Sequence, residues 1–145
     1  MKCGIDPGRY KIGFAIVENG KLLFSAIIPK SKEEVLAKAV KDNDWKLLEQ
    51  WGKEGNVAAV SNMIAEKVLL GDGTSSNEIK SLLKETVNLE IVSEYETTLK
   101  GRELYWQLHS PKGLWKLIPT SLRTPARDID DLAAWAIVNA SANLD

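Results

Sequence analysis

Three acidic residues stand where predicted elements of secondary structure end or begin. Asp6 closes an apolar run, Glu94 follows the apolar run 89–93, and Asp130 lies at the start of a run that predicts a helix. Carboxylates gathered at such ends repel one another, and a divalent cation relieves that repulsion. Oxygen-only ligands select a hard ion such as Mg²⁺ or Mn²⁺, and a pair of such ions suits phosphodiester cleavage. The pattern therefore predicts a metal site assembled from distant parts of the chain.

The residue pattern of the final predicted helix distinguishes Asp130 from the acidic residues beside it. With about 100° per residue, an apolar stripe that must face the core is formed by Ile129, Leu132, Ala133, Ala136, Ile137 and Ala140. Asp130 falls at the edge of this stripe, one turn before Ala134, whose small side chain lets the helix pack close to a sheet. Asp128 and Asp131 have the spacing of N-cap and N3 residues and are interpreted as helix-start residues. Whether Asp128, Asp131 or Glu96 also contributes to the metal site stays open.

Basic residues are concentrated in one segment, although the whole chain carries a net charge of −1. Between residues 100 and 127, six basic residues oppose one acid, a net +5, and the rest of the chain therefore carries −6. The six are Lys100, Arg102, Lys112, Lys116, Arg123 and Arg127. This asymmetry is typical of a surface on which phosphates dock beside an acidic centre, and equally of a solvated loop. Thr74 and Ser75, in a Gly-containing loop before a predicted helix, either receive a phosphate or simply begin that helix.

The coarse order of elements is βββαβαβα. Strands are predicted over 2–6, 11–18, 21–28, 67–71 and 89–93, and helices from Ser31 with a break to about Ala65, from Ser75 through Val87, over about 96–108, and over about 128–142. Both Ser31-to-Glu34 and Ser75-to-Glu78 have the capping-box pattern. The order predicts an α/β fold with a mixed five-stranded sheet, three strands antiparallel and then two parallel, flanked by helices.

Composition limits the class of protein. A chain of 145 residues with 44% apolar residues suits one domain, 1–145. No run predicts a membrane span or a secretion signal, so a cytoplasmic location is expected. The single cysteine, Cys3, excludes an internal disulfide and is interpreted as a core residue, whereas His109 is expected at the surface. Trp106 and Trp115 favour a core or interface position over base stacking.

Four segments together carry a family resemblance: GIDPGRYKIGFAIV, LLGDGTSSNEI, IVSEYETTLKGRELYW and IDDLAAWAIV. In this order they resemble the RNase H-like nuclease superfamily, specifically its RuvC Holliday-junction resolvase and YqgF (RuvX) branch. The resemblance implies an RNase H-like fold and an Mg²⁺- or Mn²⁺-dependent endonuclease acting on junction DNA or on precursor 16S rRNA. It also implies that Asp6 is the central catalytic, metal-bridging carboxylate, with Glu94 and Asp130 as the further ligands.

The sequence departs from the family pattern at one position, and two other hypotheses compete with the nuclease interpretation. Phosphate contacts are expected from Thr74, Ser75, Lys100, Arg102, Arg123 and Arg127. YqgF proteins usually carry an arginine directly after the second acid, where this chain has Tyr95, and Arg102 is a candidate replacement.

A catalytically inactive nucleic-acid-binding module of the same fold is the second hypothesis. A third, a phosphate loop of an actin-like ATPase, is disfavoured because those proteins need two such domains. A homodimer is left open, and it would favour a symmetric junction as substrate.

Overall fold

A computed structural model describes residues 1–73, 75–85, 87–93, 97–109, 117 and 125–142. Its strands are β1 (Lys2–Pro7), β2 (Lys11–Glu18), β3 (Lys21–Pro29), β4 (Gly52–Gly55), β5 (Lys67–Gly71) and β6 (Leu89–Val92). Its α-helices are α1 (Glu33–Asp42), α2 (Ser76–Leu83), α3 (Thr97–Leu108) and α4 (Asp130–Ala142), and short 3₁₀ segments cover Lys30–Lys32, Trp45–Trp51 and Val57–Val60.

The strands form one mixed sheet in the order β4-β3-β2-β1-β5-β6. Strands β1 to β4 pair antiparallel, whereas β5 runs parallel to β1 and β6 parallel to β5. Asn19 and Gly20 link β2 to β3 with positive φ angles of 53° and 79°, the conformation that two-residue hairpin turns require. The predicted mixed α/β sheet flanked by helices is confirmed, although it has six strands instead of five, with β4 added at the edge.

Side chains along the central strands alternate between two cores, as the pleat of a strand requires. Ile5 and Phe14 belong to the core on the side of α1 and α2, whereas Ala15 belongs to the core that contains α4. Gly4 and Gly13 also face α4. By the same alternation, Asp6 projects toward the α4 side of the sheet.

Helix α4 is enclosed on every side over most of its length. Each residue from Asp131 to Val138 is buried, because the helix packs against β1 and β2 on one side and α3 on the other. The single apolar stripe predicted for it is therefore wrong in part, and Ala140, assigned to that stripe, is exposed. Of the helices within the described ranges, none is long and apolar enough to cross a membrane.

The segment from 31 to 65 differs from its prediction. Ser31 lies in a 3₁₀ turn and α1 begins only at Glu33, without a side-chain cap. Both predicted capping boxes fail, since Ser31 lies outside the N-cap position of α1, and Ser75 makes no side-chain cap bond while Glu78 binds Lys30. The helix expected to continue to about residue 65 gives way to 3₁₀ turns and to β4, which ends at Gly55 with a φ of 76°.

The ion pair between Lys30 and Glu78 is expected to stabilise the fold only while Glu78 is ionised. The bond to Lys30 lowers the pKa of Glu78 below its ordinary 4.5, so this stabilisation is complete above that pH and is lost as the pH falls through the folded-state pKa. Lys30→Met should therefore reduce the free energy of unfolding at neutral pH and have less effect in strong acid. Urea denaturation at both pH values measures this. Lys80→Met is the matched control, because Lys80 makes no ion pair within the described ranges, and an equal pH dependence in both variants would contradict the prediction.

Candidate active site

Asp6 and Asp130 line the same cleft, although they come from opposite ends of the chain. The cleft has a volume of about 470 Å³ and opens where β1 ends and α4 begins. Its described lining consists of Asp6, Arg102, Pro125, Ala126, Arg127, Asp128, Ile129, Asp130 and Ala133. It therefore combines three carboxylates with two guanidinium groups, and two of the three predicted metal ligands lie in it.

Gly13 is the residue that lets the two carboxylates meet. In the β1–β2 ladder Asp6 pairs with Gly13. A Cβ atom on Gly13 would lie 1.8 Å from the carbonyl oxygen of Asp130, which no side chain can occupy. The first turn of α4 thus rests directly on the backbone of β2, beside Asp6. The close approach expected at Ala134 is present as well, because a Cβ on Gly4 would lie 2.2 Å from the Ala134 carbonyl oxygen.

The electrostatic environment of Asp130 disfavours its charged form. Partial burial raises the pKa of Asp130, and the nearby carboxylates of Asp128 and Asp131 raise it further, while its own backbone amide and Lys11 act in the opposite direction. A cation bound in the cleft would relieve this repulsion and favour the ionised carboxylate.

The donor set fits a hard divalent cation. Mg²⁺ is commonly held by one or two carboxylates and keeps several of its waters, so Asp6 and Asp130 suffice as protein ligands on one side of such an ion. Within the described ranges, no group of three acidic, histidine or cysteine side chains is close enough to hold a metal. The predicted third ligand, Glu94, and its rival Glu96 lie outside the described residues.

Asp128 does not begin the last helix, contrary to its interpretation from the sequence. Helix α4 starts at Asp130, and Asp128 in the exposed loop before it binds the ammonium group of Lys11. This hydrogen bond lowers the pKa of Asp128 and raises that of Lys11. The contact ties the base of the β1–β2 turn to the loop that lines the cleft.

Asp131 lies in the first turn of α4, in agreement with its interpretation as a helix-start residue, but its side chain is fully buried. Its Oδ2 atom accepts a hydrogen bond of 2.5 Å from Ser25 Oγ, a buried hydroxyl on β3. Arg127 donates two parallel hydrogen bonds to the carboxylate, at 2.8 Å and 3.2 Å. The sheet supplies a polar partner in the core, and this is why an acid tolerates a buried position there.

Arg127 connects the buried Asp131 and Ser25 side chains to β4 and α3. Its guanidinium group lies 3.3 Å from a carboxylate oxygen of Glu54 and 5.9 Å from the ring centroid of Tyr105. Burial opposes the charge of Arg127, but the carboxylates of Asp131 and Glu54 outweigh it and raise its pKa. His109, exposed as expected, binds Glu54 at 2.7 Å and stacks on Tyr105. The network fixes the segment 125–131 against the sheet.

The other predicted phosphate contacts are dispersed. Arg102 lines the cleft, which agrees with its candidacy as the replacement arginine. Ser75 is the N-cap residue of α2, and Lys100 lines a separate groove between α3 and α4, where it pairs with Glu103. Thr74 and Arg123 lie outside the described residues, as does Trp115. Trp106 packs against the α4 core, as expected.

Sequence reasoning missed the residues that support the cleft: Lys11, Ser25 and Glu54. Ser25 had a recognisable signal, because it is the single hydroxyl in the apolar run of β3 and a buried polar side chain needs a partner. Lys11 and Glu54 carry no such signal, since charged residues at strand ends are ordinarily solvated. Cys3 is buried in the core, as predicted, and burial raises the pKa of its thiol.

Comparison with known proteins gives likeness of fold alone. No protein-family model matches the chain, and no curated protein matches it. The Thermus thermophilus RuvC structure is 13% identical, with a TM-score of 0.46 over 97% of this chain and 92% of that one. ROK hexokinase from Thermus thermophilus is 18% identical, with a TM-score of 0.35 over 75% of this chain and 37% of the hexokinase. Function is therefore inferred from the residues of the cleft.

Proposed function

We propose that this protein is a metal-dependent endonuclease that hydrolyses phosphodiester bonds in structured nucleic acid. The observation that supports it best is the meeting of Asp6 and Asp130 in one cleft with Arg102 and Arg127. Carboxylates that hold a hard cation, next to guanidinium groups that attract phosphate, are the components that phosphodiester hydrolysis needs.

Each residue of the proposed site has a distinct task. Asp6 and Asp130 hold Mg²⁺ or Mn²⁺, together with Glu94. The ion, when bound, supplies charge stabilisation at the scissile phosphate and lowers the pKa of the attacking water. Arg102 attracts and orients the phosphate. Arg127, whose donors already bind Asp131 and Glu54, acts mainly by holding the cleft wall in place.

The nucleic acid would extend beyond the cleft. Thr74, Ser75, Lys100 and Arg123 are proposed to hold phosphates farther from the cut. Junction DNA and precursor 16S rRNA are the two proposed substrates. A homodimer in solution, which light scattering would detect, would favour the symmetric junction, and the cleavage assay decides between the two substrates.

Asp6→Asn is expected to abolish cleavage without loss of substrate binding. The variant keeps the shape of the side chain but removes a charged metal ligand, so a loss of about 100-fold to 1000-fold or more is expected. The measurement is cleavage of labelled four-way junction DNA and of structured precursor rRNA, with Mg²⁺ or Mn²⁺ against EDTA. Asp130→Asn and Glu94→Gln should behave in the same way.

Asp42→Asn is the matched control, because Asp42 is an exposed acid on α1 that pairs with Lys38, away from the cleft. It should cleave like the wild type. Full activity of Asp6→Asn would contradict the proposal. Binding by both wild type and Asp6→Asn, with cleavage by neither, would instead favour the catalytically inactive binding module.

A further inference from the structure

The turn between β1 and β2 carries an exposed aromatic ring. Tyr10 is 75% exposed, and the guanidinium carbon of Arg9 lies 6.0 Å from the centroid of its ring. Lys11 follows in sequence, but its ammonium group binds Asp128, so Arg9 is the cation that accompanies the ring. Within the described ranges, Arg9 makes no ion pair that would neutralise it.

The backbone that presents this ring is held firmly. The amide of Gly8 donates to the carbonyl oxygen of Lys11 at 2.9 Å, and the amide of Lys30 donates to that of Tyr10 at 2.9 Å. A Cβ atom on Gly8 would lie 2.5 Å from the Lys11 carbonyl oxygen, so only glycine permits this tight turn. Because the backbone of the turn is already fixed, binding of a ligand at Tyr10 would cost little backbone entropy.

The turn is adjacent to the carboxylates. It follows Asp6 along the chain, and four residues span at most about 14 Å, which is about four nucleotide steps of a B-form strand. Lys11 also binds Asp128, a residue of the cleft lining. A strand whose phosphate lay in the cleft would therefore pass the Tyr10 ring within a few nucleotides.

We propose that Arg9 and Tyr10 form a stacking platform for an unpaired base, so that the site selects nucleic acid with single-stranded nucleotides beside the cut. An exposed ring next to cations attracts a base face and its phosphate together. A fully paired duplex has its base faces already stacked and cannot use the platform. The inference rests on the proposed nuclease function, because it needs a strand in the cleft.

A binding assay under conditions that prevent cleavage tests the proposed stacking platform. The probes are single-stranded oligonucleotides, in DNA and RNA forms, that contain 2-aminopurine, and the same sequence as a blunt duplex, all in EDTA. Tyr10→Ala should weaken single-strand binding about fivefold to 100-fold and abolish the quenching of 2-aminopurine, whereas Tyr10→Trp should retain both. Duplex binding should change less than about twofold.

Ile64→Ala is the control, because Ile64 is 70% exposed and precedes β5, at the end of the sheet away from Asp6. It should bind like the wild type. Unchanged single-strand binding by Tyr10→Ala, or an equal loss for the duplex, would overturn the platform even if the protein cleaves nucleic acid. A wild type that binds neither probe would overturn the platform, and the cleavage assay on junction DNA and precursor rRNA tests the proposed function separately.

Discussion

Gly13→Ala is expected to lower both the stability and the activity of the protein sharply. The added methyl group would overlap the Asp130 carbonyl oxygen at 1.8 Å, and that oxygen belongs to a buried helix that cannot simply move away. Overpacking of this kind costs about 1–3 kcal/mol or more in free energy of unfolding. A shift of about 1 Å in a ligand also costs about 100-fold in rate. Denaturant titration measures the first effect and the cleavage assay the second.

Gly101→Ala is the matched control for this variant. A Cβ atom on Gly101 would lie 3.2 Å from the nearest atom, the Ala133 amide nitrogen, so α3 needs to shift by only a few tenths of an ångström, far less than the overlap at Gly13 demands. Alanine is also favoured over glycine inside a helix by about 1 kcal/mol, which offsets the tighter contact. Wild-type stability and cleavage in Gly13→Ala would show that α4 does not rest on β2 in the way described.

Asp131→Ala is expected to destabilise the protein by about 3–5 kcal/mol, the cost typical of breaking a buried ion pair. The variant leaves Arg127 without its bidentate partner and the buried Ser25 hydroxyl without its acceptor. It should also reduce cleavage, because Arg127 then no longer fixes the loop that leads to Asp130. Urea denaturation and the cleavage assay measure the two losses separately.

A second variant shows whether the uncompensated charge is the cause. Replacing both partners, Asp131→Leu with Arg127→Met, removes the charges together and should recover part of the lost stability. Asp128→Ala should change stability far less, since Asp128 pairs with Lys11 in an exposed loop. Equal losses in Asp131→Ala and Asp128→Ala would contradict the account of the buried network.

The sheet could be predicted from the sequence because its signals are local. Asn19-Gly20 defines one hairpin, and short apolar runs define the remaining central strands. Prediction failed from about residue 45 to 65, after the correctly predicted helix α1, because the outcome there depends on long-range contacts. The capping box predicted for α2 failed for a similar reason, since Glu78 binds Lys30, which lies far from it in sequence.

The candidate site was predictable to a similar extent. Asp6 and Asp130 stand out as acids at element ends, and they do line one cleft. The burial of Asp131 could not be predicted, because only the tertiary fold shows that this side of α4 faces Ser25 on β3. A helix enclosed by both a sheet and another helix has no solvated face from which periodicity can be read.

The packing of α4 against β1 also determines when, during synthesis of the chain, the proposed site can form. Asp6 and Asp130 lie 124 positions apart in the sequence, so the packing of α4 on β1 that places both in one cleft closes a long loop and belongs to the slower, non-local part of folding. A chain still emerging from the ribosome carries Asp6 in its hairpin without the partner carboxylate. The proposed hydrolytic activity would thus be withheld from a nascent chain in the vicinity of the messenger and ribosomal RNA that surround it, and would appear only once α4 has docked.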